Sequence, residues 1–277
     1  MGWLLKTALV GWWNDRAMSL GASIAFFTVF SLAPMLLVAI AVAGLVFGRE
    51  AAQGAIVAQL AGLTGGQTAA ALEGMIASAS SFDAGVIGLL IGVATFLLLA
   101  TGAIIELQDN LNIIWKAKPE QTFGIMAFVR TRLLSLTVVV GFGSLLMVSL
   151  ILDAGLTWSG TYLEASFSGV TVILQILNSA IAFGIASLLF AMLPAVPLTW
   201  RDVGMGAAMT ALLFTAGKFV IGYYIGKSGV ASAYGAAASI ITLLLWIYYS
   251  SLILLFGAEF TKAYAENRGS RTEVAQG

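Results

Sequence analysis

The sequence predicts an all-α membrane protein: a bundle of six transmembrane helices, with an N-terminal interfacial helix before the first span. Hydrophobic residues make up 60% of the 277 residues and charged residues only 9%, against about 25% charged in an average soluble protein. Apolar runs of about 20 residues or more, long enough to cross a bilayer as helices, recur along the chain. The basic residues between these runs are unevenly distributed, which predicts an orientation with both termini in the cytoplasm.

The composition also excludes several kinds of chemistry. The chain contains no cysteine and no histidine, so disulfides, thiolate nucleophiles, imidazole metal sites and histidine bases are excluded. Its 13 basic and 13 acidic residues balance, which leaves no bulk positive charge to attract nucleic acid. No nucleotide-binding motif is present, and we therefore expect neither a cofactor nor a nucleic-acid partner.

Residues 1–21 are expected to form a helix lying in the membrane interface. They lack the uninterrupted apolar core and small-residue cleavage site of a signal peptide. Instead, tryptophans alternate with charged residues, as in helices that lie at headgroup level. The first span would then act as an uncleaved insertion signal.

The membrane domain is predicted over residues 22–262, followed by a cytoplasmic tail over residues 263–277. Pro34 lies inside the first span, where it should kink the helix, and the Ser31 hydroxyl could satisfy a freed carbonyl there. The pair is therefore a candidate hinge. Residues 49–83 are too polar and too rich in glycine to span, so short amphipathic helices at the membrane surface are expected there. The six spans are predicted at about residues 22–48, 84–115, 123–152, 169–193, 203–226 and 234–260.

Two local patterns mark the start and the packing of the fifth span. Pro194 and Pro197 form a stiff turn into Thr199–Asp202, which is a suitable N-cap for the next helix. Further along, Gly222 and Gly226 have the small-residue spacing that lets two helix backbones approach closely.

The charge distribution predicts which side of the membrane each loop occupies. Arg49 and Lys227 are the loop cations expected on the side away from the termini. The cations on the terminal side are Lys6, Arg16, Lys116, Lys118, Arg130, Arg132, Arg201, Lys262, Arg268 and Arg271. The positive-inside rule therefore places both termini of this multi-pass protein in the cytoplasm.

The end of the second span carries an unusual concentration of polar side chains. These are Glu106, Gln108, Asp109, Asn110 and Asn112, and residues three or four apart share one face of a helix. In one interpretation they fasten the bundle, with a carboxylate paired to Arg130 or Arg132 in the third span. In the other they form a gate or coupling site, where a carboxylate takes up a proton or releases a partner. Both interpretations remain open, and they are compatible.

Other polar or aromatic residues lie within or near the last two spans. Lys218, deep in the fifth span, either extends to the periplasmic interface or faces a cavity suited to an anionic substrate. Glu259 is interpreted first as a surface pair with Lys262, and second as part of the gate. Trp246, Tyr248 and Tyr249 fall near the middle of the membrane, where core packing and the lining of a substrate path are both open. Tyr234 is assigned to the same candidate path.

Four stretches together resemble one family, the YihY/BrkB membrane proteins, historically also labelled ribonuclease BN. The resemblance covers about residues 5–265. It rests on Ala25–Pro34, on Gln108–Trp115, on Pro194 with Trp200–Asp202 and Gly206, and on Lys218 with Tyr234–Gly235, Leu245–Tyr248 and Gly257–Glu259. It implies a six-helix protein of the bacterial inner membrane, and the names used in the family point variously to serum resistance, tRNA processing and lipid-related transport.

Three classes of function are considered for a protein with these features. The first is a transporter or flippase-like facilitator for a lipid or another amphiphilic or anionic envelope substrate, with membrane lipids as partners. The alternative is a scaffold that assembles an envelope complex, either as a homo-oligomer or with another envelope protein. A membrane ribonuclease is disfavoured, because a metal-dependent nuclease needs clustered acidic or histidine ligands on a water-exposed face. We therefore expect a protein that is not an enzyme.

Overall fold

A computed structural model describes residues 2–48, 102–117, 168–227 and 238–272, together with a few single residues between 50 and 74. This part of the chain is entirely helical apart from turns, which confirms the all-α class. Its helices are α1 (Gly2–Asn14), α2 (Ala17–Phe47), α3 (residues 102–114), α4 (Ser168–Met192), α5 (Trp200–Lys227) and α6 (Ala238–Arg268). The predicted surface helices over residues 49–83 and the predicted third span lie largely or wholly outside the described residues.

Helix α6 is the central element of the described bundle. It packs against α1, α2 and α5, and α4 packs against α5. The second half of α6 faces these neighbours, and its residues Leu255, Ala258 and Phe260 have no exposed surface. The polar side chains of Glu259 and Thr261, which lie in this buried stretch, are therefore held within the protein.

The largest buried cluster joins one end of each of five helices. It combines the start of α2 and α5 with the end of α3, α4 and α6, through residues such as Ala17, Val203, Leu111, Phe190 and Ala265. Helices α2 and α5 begin in this cluster, whereas α3, α4 and α6 end in it. We call this region the packed end of the bundle.

Helices α5 and α6 cross at a reciprocal pair of glycine–threonine contacts. Thr261 of α6 lies directly on Gly206 of α5, and Thr210 of α5 lies directly on Gly257 of α6. Each threonine hydroxyl donates a hydrogen bond to the glycine carbonyl four residues earlier in its own helix, at 2.9 Å in α5 and 2.7 Å in α6. The hydroxyls are thus satisfied within their own helices, and the two backbones can approach closely.

The first two helices meet at a sharp corner. Helix α1 ends at Asn14 and α2 begins at Ala17, so the predicted boundary near residue 21 lies too far along the chain. Arg16 takes a left-handed backbone conformation with φ of 56°, and its carbonyl accepts the first hydrogen bonds of α2 from Ser19 and Leu20. The corner folds α1 back onto α6, where Leu4 and Ala8 are buried among Phe260, Ala263 and Tyr264.

The face of α1 turned away from α6 remains apolar and exposed, and it includes Trp3, Leu9 and Trp13. Within the described residues, one stretch, Ile240–Arg268, is long and apolar enough to cross a membrane, and its most apolar 18 residues have a mean hydropathy of 2.1. The six spans, the interfacial position of α1 and the orientation of the termini remain predictions.

Candidate functional site

A carboxyl group is buried where α1 packs on α6. Glu259 is only 3% exposed, which contradicts the expected surface pair with Lys262. The reason is the corner at residues 15 and 16, which lays α1 over this face of α6. Gly11 provides the space, since a Cβ atom built there would lie 2.5 Å from Glu259 Oε2.

The neighbours of Glu259 come from both helices. The Asp15 carboxyl, in the corner that follows α1, is close enough to interact with the Glu259 carboxyl, and so are the charged groups of Lys262 and Glu266 on α6. Lys262 Nζ forms its ion pair with Asp15 Oδ2 instead, at 3.9 Å. Glu259 Oε1 is buried with no hydrogen-bond partner among the described residues.

A second buried carboxylate ties the start of α5 to the end of α6. Asp202 is 0% exposed and accepts hydrogen bonds from the Thr199 hydroxyl at 2.6 Å and the Thr199 backbone N–H at 3.3 Å. It also accepts one from the Ser270 hydroxyl at 2.5 Å. Helix α5 begins at Trp200, directly after Thr199, so the predicted cap position is confirmed. The bond from the Thr199 N–H to the Asp202 carboxylate is the half of a capping box that the acidic residue supplies.

The hydrogen bonds to Asp202 also determine its charge state. Burial alone would raise the pKa of Asp202, but the hydrogen bonds from Ser270 and Thr199 outweigh it and hold the pKa below the usual value of 3.8. Next to Ser270, the Arg271 guanidinium lies 5.9 Å from the centre of the Trp115 ring at the end of α3. Asp202 is thus an ionised fastening rather than a proton-transfer group.

The amides of the polar stretch in α3 act as fastenings to other helices. Asn110, only 2% exposed, donates to the Leu20 carbonyl at 3.1 Å and to the Ser23 hydroxyl at 3.2 Å in α2. Asn112 Oδ1 accepts the backbone N–H of Ala195 at 2.9 Å, in the turn between α4 and α5. These two amides join α3 to α2 and to the α4–α5 turn.

The acids of the same stretch are arranged differently. Asp109 is exposed, and Glu106 and Gln108 are partly exposed on α3. No ion pair joins Glu106 or Asp109 to any residue in the described ranges. Their predicted partners, Arg130 and Arg132, lie outside those ranges, so the expected pairs remain predictions.

Several other predicted site residues are only partly described. Lys218 lies on α5 and Pro34 on α2, but their side chains are outside what the structure describes, as is the whole of Tyr234.

Helix α2 continues through Pro34 without interruption. Ser31 is buried and donates to the Thr28 carbonyl at 2.9 Å, whereas the carbonyl that Pro34 leaves free belongs to Phe30. The hinge remains a prediction.

The two aromatic residues assigned to a substrate path are packed against other side chains. Trp246 and Tyr248 are partly buried against a small core formed by α2 and α6, which includes Ala25 and Leu243. The Trp246 ring also meets Phe214 edge-on, with ring centres 5.8 Å apart. Their contacts are those of core aromatics, and a path along them remains a prediction.

Several long-range pairings among the described residues have no counterpart among the sequence predictions, including Asp15 with Glu259 and Asp202 with Ser270. Each joins residues far apart in the chain, so no local pattern indicates it. The available signals are weak: a glycine in an otherwise bulky α1, and an aspartate three residues after a threonine. The fastening by Asn110 is indicated only by its place in the polar stretch.

The described residues define an all-α protein in which one helix, α6, contains a stretch long and apolar enough to cross a membrane. The chain belongs to the family described as virulence factor BrkB, whose family model matches residues 8–276. The resemblance to the YihY/BrkB proteins is therefore confirmed.

Its relatives are named as UPF0761 membrane proteins. The relative from Tolumonas auensis is 32% identical over 183 residues, covering 66% of this chain and 59% of that protein. The relative from Rhodospirillum centenum is 29% identical over 282 residues, covering 98% and 60%. The relative from Verminephrobacter eiseniae is 28% identical over 246 residues, covering 87% and 57%. This chain thus spans about three fifths of their length, and no solved structure matches it.

Proposed function

We propose that this protein is a facilitator, of transporter or flippase type, for a lipid or another amphiphilic or anionic substrate of the bacterial inner membrane. The observation that carries the proposal is the division of roles within α3. The amides Asn110 and Asn112 fasten the helix, while Glu106 and Asp109 make no ion pair with the described residues. Two carboxylates at the end of a membrane helix are costly unless they serve an ion, a substrate or a movable partner.

The predicted pairs with Arg130 and Arg132 fit the same proposal. An ion pair between two membrane helices that breaks as the bundle opens would act as a gate at the packed end. Lys218, on α5, would attract the anionic part of the substrate, and the membrane face of the protein would accept its apolar part. An apolar surface for this second part is available on α5, which exposes four large side chains: Leu212, Val220, Tyr223 and Tyr224.

The test is lipid movement in vesicles containing the purified protein and a fluorescent anionic phospholipid in one leaflet. Glu106→Ala, Asp109→Ala and Lys218→Ala should each reduce the rate of exchange between leaflets while leaving the protein folded. Lys227→Ala is the matched control, since this lysine of the same helix stacks on Tyr223 at the helix end, 4.8 Å from the ring centre. Unchanged exchange in all three folded variants would refute the proposal.

The alternative, an assembly scaffold, makes a different prediction for the protein isolated in mild detergent. A stoichiometric protein partner, together with an exchange rate no higher than in empty vesicles, would favour the scaffold. Bound lipid in the purified protein and an accelerated exchange rate would favour the facilitator.

A further inference from the structure

We propose that Asp15 and Glu259 form a proton-binding site that ties α1 to α6. The proposal concerns the docking of α1 and does not depend on which substrate, if any, the protein moves. Its basis is geometric: the Glu259 carboxyl of α6 is buried against Gly11 of α1, and the Asp15 carboxyl, in the corner that follows α1, lies 3.9 Å from Lys262 Nζ of the next turn of α6. Two ionised carboxylates have only acceptor atoms, so a hydrogen bond between them requires one proton.

The surroundings indicate which carboxyl holds the proton. Asp15 already faces a cation, since Lys262 Nζ lies 3.9 Å from its Oδ2 atom. Glu259 is 3% exposed and its Oε1 atom has no partner in the described part of the chain. An ionised carboxylate spreads its charge over both oxygens, and a buried oxygen without a donor would then carry uncompensated charge. The neutral acid avoids this, so Glu259 donates and Asp15 accepts.

The charged groups that face this site determine how the two helices respond to loss of the proton. Asp15 contributes from the corner that follows α1, and Lys262 and Glu266 contribute from α6 itself. With the proton bound, one lysine balances one carboxylate between the two helices. Without it, Asp15 and Glu259 both carry negative charge beside a single lysine, with Glu266 adding to the repulsion. Deprotonation should therefore loosen α1, which can swing about the corner at residues 15 and 16.

Cysteine labelling can detect this movement, because the chain has no native cysteine. Leu4 is 2% exposed against α6, whereas its neighbour Leu5 is 38% exposed. We would introduce Leu4→Cys and Leu5→Cys in separate proteins and measure their rates of maleimide labelling as the pH is raised. The ratio of the two rates cancels the ordinary increase of thiol reactivity with pH. The ratio should rise severalfold as the site loses its proton.

Glu259→Gln provides the decisive comparison, because the glutamine amide can donate a hydrogen bond to Asp15 but does not lose a proton as the pH is raised. In that background the Leu4→Cys to Leu5→Cys ratio should stay constant with pH, and Glu266→Gln should retain the rise. Asp15→Asn provides a second test if Glu259→Gln does not fold. Infrared spectra should show a protonated-carboxyl band that disappears with the same pH dependence and is absent in Glu259→Gln. A ratio that is independent of pH in the native background, or that rises equally in Glu259→Gln, would overturn the proposal.

Discussion

Thr261 of α6 lies on Gly206 of α5 so closely that a methyl group on the glycine would overlap the threonine hydroxyl. The Gly257 carbonyl is also only 3.0 Å from the position of that methyl group. Backbone atoms cannot move aside as the end of a flexible side chain can. The helices can therefore cross at this point only with glycine at position 206.

This contact predicts that Gly206→Ala destabilises the protein. Overpacking of a well-packed site typically costs about 1–3 kcal/mol, and we expect a loss of that size, measured as the unfolding temperature of the protein purified in detergent. Gly257→Ala should destabilise the protein in the same way, because Thr210 lies on Gly257 as Thr261 lies on Gly206. Gly204→Ala is the control: a Cβ atom there meets nothing within 4 Å, so stability should be retained or slightly increased.

A second prediction concerns the pH dependence of the Asp202 fastening. Because its pKa is below 3.8 in the folded protein, the stability that it contributes is complete above that value and is lost as the pH falls through the folded pKa. Asp202→Asn should lower stability at neutral pH by about 1.5–3 kcal/mol, the range for hydrogen bonds to charged groups.

Unfolding temperatures of the native and Asp202→Asn proteins, measured from neutral pH downwards, would check this prediction. Their difference should stay constant until the pH approaches 3.8 and then narrow. A difference that widens on acidification would contradict the prediction.

Substitutions of the α3 amides and of the α3 acids should differ in their effect on the stability of the protein. Asn110→Ala removes two hydrogen bonds from a buried side chain and should reduce stability by about 1–3 kcal/mol. Asn112→Ala should reduce stability less, because the Ala195 N–H that loses its acceptor is exposed and can bind water instead. Asp109→Ala removes an exposed side chain, and we expect a change within about 0.5 kcal/mol. Equal losses in Asn110→Ala and Asp109→Ala would show that the acid is also a fastening.

Gly11→Ala should displace α1 without disturbing the rest of the bundle. The new methyl group would meet the Glu259 carboxyl at 2.5 Å, whereas one at Gly2 would meet nothing within 4 Å. We expect faster labelling of Leu4→Cys in the Gly11→Ala protein at every pH, and the native rate in Gly2→Ala. An unchanged rate in Gly11→Ala would show that α1 is held mainly elsewhere, for example by the Trp12 Nε1 hydrogen bond to the Leu252 carbonyl at 3.2 Å.

Local patterns correctly predict the helices that begin or end with distinct chemical signals. The fourth span is predicted over residues 169–193, and α4 occupies Ser168–Met192. The prolines and the Thr199 cap, which act within one turn of the chain, predict the start of α5. Proline and the threonine cap determine backbone geometry by themselves, so local sequence is sufficient at these points.

The predictions fail where distant contacts decide the structure. The last span is predicted to end at about residue 260, and the continuation of the helix α6 to Arg268 is not predicted. Asp15 pairs with Lys262, and α1 covers this extra length. The corner at Arg16 is not predicted, since an arginine has no local preference for positive φ. The crossing at Gly206 and Gly257 is likewise not predicted. The close approach expected at Gly222 and Gly226 concerns positions whose surroundings the structure does not describe, so it stays a prediction.

The central position of α6 has a consequence for how the protein is made. Helices α1, α2 and α5 all pack on α6, and α6 follows all of them in the chain. During translation the ribosome therefore releases the earlier helices into the membrane well before their shared partner exists. Asn110 can join α3 to α2 at that stage, but the buried faces of α1 and α5 must wait. Chains stalled before residue 238 should consequently remain exposed to the membrane insertion and quality-control machinery.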